Sequence, residues 1–313
     1  MEPLNLSILY RGPLSSCNYG CGYCPFAKHH ETREELEDDA RALERFVEWV
    51  ERQGAVGHRI SVLFTPWGEA LVRPWYQEAL VRLTNLPHVG RAAIQTNISC
   101  RLDWAARCDT AKLGLWCTYH PGETTRARFV AKCREMDAMG LRYSVGVVGM
   151  KGHVGEIEAI RRELRPDVYV WVNAYKRVDD YYADDEAARL TAVDPLFPVN
   201  NVRHRSAGLE CRAGASVISV AGDGTMRRCH FIKEPIGNIY DAGWDRALRP
   251  TPCTNATCEC HIGYVHMPSL GLYDVFGDGV LERVPAQVPP PAVRIAEAAP
   301  IRRQHALPVL AAR

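Results

Sequence analysis

Between residues 4 and 175, short apolar runs alternate with longer stretches whose apolar residues recur at helical spacing. Few folds accept that pattern. The runs 4–10, 59–65, 91–97, 112–120, 142–150 and 167–173 read as strands. The stretches 35–53, 75–86, 101–108, 124–140 and 156–164 read as helices, the first with Leu36, Ala40, Leu43, Phe46 and Val47 on one face. Strands that alternate with helices build a parallel sheet wound in one sense, so the expected class is α/β, an open or closed barrel. Such a barrel carries its chemistry on the loops at the carboxyl ends of its strands.

The texture changes beyond residue 175. Residues 180–205 read as a connector with some helix, and 215–231 as a β-hairpin turning at Gly222-Asp223-Gly224. From 283 to 313 the chain is rich in Pro and Ala and is expected to be a tail, extended, disordered or strapped over the surface. The expected divisions are therefore 1–200, 205–282 and 283–313. With 313 residues, 47% of them hydrophobic, the chain is long enough for a sizeable core. Its formal net charge of +1 provides no global field for nucleic acid or anionic lipid. No apolar run is long enough to span a bilayer and the N-terminus lacks the pattern of a secretory signal, so a cytoplasmic protein without nucleic-acid or membrane partners is expected.

Twelve cysteines are many for such a protein, and in a reducing compartment clustered cysteines point to metal or catalysis before disulfides. Cys17, Cys21 and Cys24 are spaced C-x3-C-x2-C directly after the first strand. Three thiols are one short of a closed tetrahedral site. A 4Fe–4S cube held by three protein thiolates leaves one iron open to a small ligand, and the competing reading is zinc with a fourth ligand such as His29 or His30. A second group, Cys211, Cys229, Cys253, Cys258 and Cys260, lies in the last third. Cys100, Cys108, Cys117 and Cys133 are scattered between the two and read as small buried hydrophobes.

The segment SCNYGCGYCPF, with Tyr23 at the aromatic position of C-x3-C-x-aromatic-C, resembles the signature of the radical S-adenosylmethionine (SAM) superfamily. The resemblance implies a partial (β/α)6 TIM-like barrel, a cluster on Cys17, Cys21 and Cys24 with SAM on the open iron, and a 5′-deoxyadenosyl radical that abstracts hydrogen from substrate. It implies further contacts to SAM. Gly68 and Glu69 match a Gly-Gly-Glu-type turn that binds the SAM amino group, although Trp67 replaces the first glycine. Thr96 and Asn97 end the third strand, Thr118 and His120 end the fourth, Val147 lies in a fifth-strand stretch that flanks adenine, and Asn173 ends the sixth.

Cys211, Gly224 and Cys229, followed by Gly237-Asn238, resemble the auxiliary-cluster extensions called SPASM or twitch domains, here over 205–282. Five cysteines suit one auxiliary 4Fe–4S cluster, on Cys211, Cys229 and two of Cys253, Cys258 and Cys260, with Cys258 and Cys260 preferred; structural zinc is the alternative. His230 and His261 abut these cysteines and are candidates to tune the cluster. Over residues 5–284 the chain also looks like one uncharacterised bacterial group of auxiliary-cluster radical SAM proteins.

The resemblance points to an enzyme acting on a small sugar-, cyclitol- or nucleoside-like molecule in a biosynthetic pathway. It would oxidise that substrate, with the auxiliary cluster as electron acceptor and an external flavodoxin- or ferredoxin-type reductant. The second class is peptide modification, disfavoured because the first cluster cysteine is residue 17 and leaves no room for a preceding peptide-recognition domain. Redox-neutral decarboxylation, elimination or epimerisation is a third outcome; an epimerase needs a hydrogen donor, for which Cys117 is the candidate, and His120 is the other candidate catalytic residue. A non-catalytic iron–sulfur electron carrier is the distant alternative. Lys28, His29, His30 and Arg33, after the cluster motif, suit an anionic group or a solvated loop equally well.

Overall fold

The structure is a computed structural model that describes residues 3–26, 29–293 and 298–299; Lys28 and most of the tail expected over 283–313 lie outside them. Six strands, β1 (Asn5–Arg11), β2 (Arg59–Phe64), β3 (Val89–Thr96), β4 (Leu113–Tyr119), β5 (Arg142–Val148) and β6 (Val170–Asn173), pair in order and in parallel. Between them run α1 (Arg33–Gln53), α2 (Pro74–Thr84), α3 (Arg126–Ala138) and α4 (Val154–Glu163); the segment expected as a helix after β3 is only a 3-10 turn, Asp103–Arg107. The connector after β6 carries α5 (Asp184–Val193). The α/β fold read from the alternating pattern is thus present.

The local reasons are ordinary ones. Thr32 caps α1 in a capping box with Glu35, each side chain bonding the other's backbone N–H, which satisfies donors that the first turn leaves open. Pro74 opens α2, where a missing N–H costs nothing. Gly140 ends the α3 connection at φ +65°, a conformation that a side chain disfavours.

Period-2 alternation gives the sheet two apolar faces. Ile8, Tyr10, Val62, Phe64, Ile94, Leu115, Cys117, Val145, Val147 and Val172 pack against the helices. Leu9, Leu63, Ala93, Trp116 and Trp171 face the other way, into the curl of the sheet, where Ile262, Tyr264, Val265, Leu272, Phe276 and Leu281 cover them. The interior between Leu9, Leu63, Trp116 and His261 leaves no space for water. At the amino end of the strands Glu282, fully buried, meets Arg91 at 3.3 Å and Arg142 at 2.7 Å. Gly114 makes room for this plug, since a Cβ there would lie 2.7 Å from that of Glu282. Arg283, where the tail was expected to begin, is 1% exposed, and its guanidinium lies 4.4 Å from the Trp171 ring. One end of the barrel is therefore closed, and the carboxyl ends of the strands form its mouth.

The expected hairpin exists as β8 (Val217–Ala221) and β9 (Thr225–Arg227), preceded by the short strand β7 (Arg203–Arg205) and followed by β10 (Pro235–Asn238). It does not form a sheet of its own. β8 pairs in parallel with β1, so the hairpin extends the barrel sheet to nine strands, and β7 pairs instead with the two-residue strand Thr257–Cys258. The second cysteine group is thereby fixed to the edge of the barrel next to the strand that carries the first.

Candidate active site

The loop after β1 is held from below by a network that motif reading does not detect. Asp39 on α1 is buried and accepts from the backbone N–H of Leu14 (3.2 Å), from Trp75 Nε1 (2.7 Å) and from the Tyr76 hydroxyl (3.0 Å). Glu31 accepts from Ser15 N–H, and Arg73 Nη2 donates to Ser16 Oγ at 3.2 Å. Residues 14–16 are thus pinned before the first cysteine.

The turn after β2 closes over this point. Glu69 N–H donates to Ser16 O at 3.0 Å, and a Cβ on Gly68 would sit 1.6 Å from that same oxygen, so only glycine fits. Glu69 is 2% exposed and accepts from Leu71 N–H (3.0 Å), Thr96 Oγ1 (2.8 Å) and Asn97 N–H. Burial outweighs these three bonds and pushes its carboxyl up to about 7. A buried carboxylate at the mouth suits a cationic partner, which would restore its charge.

The three front cysteines follow. Cys21 is buried, with Sγ 3.4 Å from His120 Nδ1; Tyr23 OH lies 2.8 Å from the same nitrogen. Burial lowers the His120 pKa to about 4, so its ring is neutral and shares one hydrogen bond with the phenol at Nδ1. Cys17 Sγ receives the Tyr19 backbone N–H at 3.4 Å and lies 3.9 Å from Asn97 Nδ2. Cys24 is half-buried, its N–H bonded to Cys21 O at 3.1 Å. Burial raises the Cys17 thiol pKa and pushes Cys21 up to about 11, so iron binding here would release protons. Among the described residues no three metal-ligating side chains converge on one point. The thiols are spread along the loop, Cys17 against Asn97 and Cys21 against His120, and thiolates on the separate irons of a cube need no common point.

Of the residues expected around SAM, the structure brings Tyr23, Gly68, Glu69, Thr96, Asn97 and His120 to this loop. Thr96 acts there through Glu69, because its side chain lies on the helix side of β3. The mouth-facing residue of that strand is Gln95, in step with Ala93. Thr118 follows Trp116 on the inner face of β4, and Asn173 is exposed at the end of β6. Val147 and Cys117 are not brought together with the others. Both are fully buried in the layer between sheet and helices, Cys117 with its Sγ 4.0 Å from Met136 Sδ. The glycine next to Val147 serves packing, since a Cβ on Gly146 would lie 2.0 Å from the Trp171 indole.

In the second group, Cys229 packs in a small buried cluster with Ala213 and Ile232, against which Cys211 and Cys253 lie. Cys258 is within electrostatic reach of Cys211, Cys229, Cys253 and Cys260, and burial raises its pKa and pushes Cys229 up to about 11. Arg228 ties the hairpin to the downstream segment through the carbonyls of Ala213 (3.2 Å), Pro252 (2.8 Å) and Thr251. Cys260 is exposed, and it interacts electrostatically with Cys258, Arg11 and Lys176. His230 Nε2 lies 2.9 Å from Thr65 Oγ1 at the end of β2, and His261 is buried against Trp116. A surface cavity of about 390 Å³ is lined by Val72, Gln77, Cys100, Arg101, Asp103 and Trp104, none of them a residue of either cysteine group.

No protein-family model matches the chain, and no curated protein matches it by sequence. Solved structures do match in fold. Native anSMEcpe with bound AdoMet aligns over 78% of this chain and 83% of that one, at 15% identity and a TM-score of 0.50. BtrN in complex with AdoMet and 2-DOIA aligns over 76% of this chain and 80% of that one, at 17% identity and a TM-score of 0.37. Among the described residues no helix is long and apolar enough to cross a membrane.

Proposed function

We propose that this chain is a radical SAM enzyme with one auxiliary iron–sulfur cluster. The observation that carries the reading is the closure of the Gly68-Glu69 turn on Ser16, directly before a three-cysteine loop at the carboxyl end of β1 in which Cys21 is buried and Cys17 and Cys24 are half-buried. The fold shared with a structure that holds AdoMet supports it. Cys17, Cys21 and Cys24 would hold a 4Fe–4S cluster, and Glu69 the amino group of SAM. When bound, this pair supplies reductive cleavage of the sulfonium and a 5′-deoxyadenosyl radical that takes hydrogen from a small-molecule substrate.

The chain's own residues position and shield this chemistry. Asp39, Glu31 and Arg73 fix the approach to the loop. Thr96 and the Asn97 N–H aim the Glu69 carboxylate. Neutral His120 is hydrogen-bonded to Tyr23 and lies against Cys21, so it sets the orientation of the phenol next to the cluster thiol. The packed interior under the mouth keeps water out.

The auxiliary cluster would be held by Cys211, Cys229 and Cys253, which pack together, and by Cys258, which interacts electrostatically with all three, with the exposed Cys260 spare. A closed cluster of this kind next to the substrate suits an electron acceptor, so two-electron oxidation of the substrate is the proposed outcome, with an external flavodoxin- or ferredoxin-type reductant for the front cluster.

The test is electron paramagnetic resonance of the reduced, iron-loaded protein. Addition of SAM should change the signal of the front cluster in the wild type and change nothing in Cys21→Ala. A spectrum indifferent to SAM in both would remove the reading.

A further inference from the structure

The connection between β1 and α1, residues 12–32, carries the front cysteines with no helix or strand among its described residues. So long an irregular segment keeps one shape only where other elements fasten it. Hydrogen bonds fasten its first half. Leu14 N–H donates to Asp39, Ser16 O accepts from Glu69 N–H, Asn18 Nδ2 donates to Ser99 Oγ at 2.9 Å, and Gly20 N–H donates to Glu123 Oε2 at 3.0 Å. Tyr23, bonded to His120, ends this run.

Cys24 lies beyond it. Among the described residues its own bonds stay inside the loop: its N–H donates to Cys21 O at 3.1 Å and its Sγ to Phe26 O at 3.5 Å. The second bond needs the thiol proton, which a thiolate on iron lacks. This stretch meets the barrel through a ring contact. Phe26 and Trp67 stack with centroids 5.9 Å apart and planes 3° from parallel, the geometry of an offset stack. Trp67 is held in its turn by the Arg11 guanidinium, 5.4 Å from its ring, and Arg11 Nε donates to Thr65 O at 2.8 Å. Phe26 is 47% exposed and Trp67 39%. Rings so exposed gain little from burial in a core, so their contact with each other is what the pair contributes. The turn after β2 therefore grips the loop at two places, with Gly68 and Glu69 on Ser16 and with Trp67 on Phe26.

We propose that Trp67 is a positioning residue for Cys24: through Phe26 it fastens the far end of the cysteine loop and limits how often that thiol leaves its place. The clasp is a property of the apoprotein. Only the purpose of the positioning, to hold Cys24 on a cluster iron, rests on the radical SAM reading. Trp67 stands where the resembling turn has its first glycine, so the clasp belongs to this chain's own sequence.

The test is iodoacetamide alkylation of the apoprotein, with the rate read separately at Cys17, Cys21 and Cys24 by peptide mass spectrometry. A fastened thiol reacts in proportion to the time its segment is open. Trp67→Ala and Phe26→Ala should each speed alkylation of Cys24 by roughly three- to tenfold, the scale of one aromatic pair, and leave Cys17 unchanged. The double variant should be no faster than the faster single variant, because both remove the same contact. Trp67→Phe should recover most of the wild-type rate. In the iron-loaded protein, loss of the front cluster's paramagnetic signal to a chelator should rank the variants in the same order. The assignment is overturned by an unchanged Cys24 rate, by equal speeding at all three cysteines, which is general unfolding, by effects that multiply in the double variant, or by signal loss at one rate in all the proteins. Alkylation that follows the stack in a wild type that never forms a front cluster would keep the clasp and sink the radical reading instead.

Discussion

The carbonyl oxygen of Ser16 lies where a side chain on Gly68 would have to begin. A Cβ at Gly68 would be 1.6 Å from it, and the next residue, Glu69, donates its N–H to it at 3.0 Å. The approach to the cysteine loop and the turn after β2 are therefore one unit. Gly68→Ala should force them apart and cost about 2 kcal/mol of stability, the usual scale for overpacking. Denaturant melts of the apoprotein measure that cost, and iron content after reconstitution should fall with it. An unchanged melt with full iron would mean the two loops are not coupled.

Glu69 gives a pH dependence with a definite sign. Its folded-state pKa is raised to about 7 from 4.5. A raised carboxyl contributes stability that is present below the unfolded value and is lost as pH rises through the folded value. The apoprotein should therefore lose on the order of 1–3 kcal/mol between about pH 4.5 and 7 and level off above. Glu69→Gln should lack this slope. Stability measured from pH 4 to 9 in both proteins decides it, and parallel profiles would contradict the assignment.

The auxiliary ligand set separates two cysteines that spacing alone cannot. Cys253 packs with Cys211 and Cys229, whereas Cys260 is exposed beside two cations. Cys253→Ala should lose about four irons after reconstitution and Cys260→Ala should lose none. The reverse pattern would restore the ligand pair that the sequence spacing favours.

Glu282 closes the amino end of the barrel between Arg91 and Arg142. Glu282→Ala removes the buried carboxylate shared by Arg91 and Arg142, leaves both with the exposed Asp278 at 3.1 and 2.9 Å, and should destabilise by about 1–3 kcal/mol, below the full scale for breaking a buried pair. Chemical denaturation checks this. A change within experimental error would mean that Asp278 alone satisfies both cations.

Much of this molecule could be read before its structure. The period-2 runs and amphipathic stretches predict all six parallel strands, and the front cysteines, Gly68 and Glu69 fall where their spacing after strands puts them. What escaped reading depends on register and on contacts distant in sequence. The triplet Gln95-Thr96-Asn97 is polar throughout, and only its register with Ala93 reveals that Gln95 faces the mouth while Thr96 backs Glu69. Cys117 and Val147 sit on well-placed strands but point to the helices, a choice of face that an all-apolar strand does not encode. Asp39 looks like any acid on an amphipathic helix until Leu14, Trp75 and Tyr76 meet it. The parallel pairing of β8 with β1 joins residues some two hundred positions apart, beyond the reach of any local pattern.

The central claim is that Cys17, Cys21 and Cys24 support SAM cleavage. The measurement is 5′-deoxyadenosine formed anaerobically by the iron- and sulfide-reconstituted protein with SAM and a strong reductant, beside a Cys17/Cys21/Cys24→Ala variant. The account predicts product from the wild type, none from the variant, and about four irons retained by the variant at the auxiliary site. Equal product from both, or none from a fully iron-loaded wild type, would contradict it.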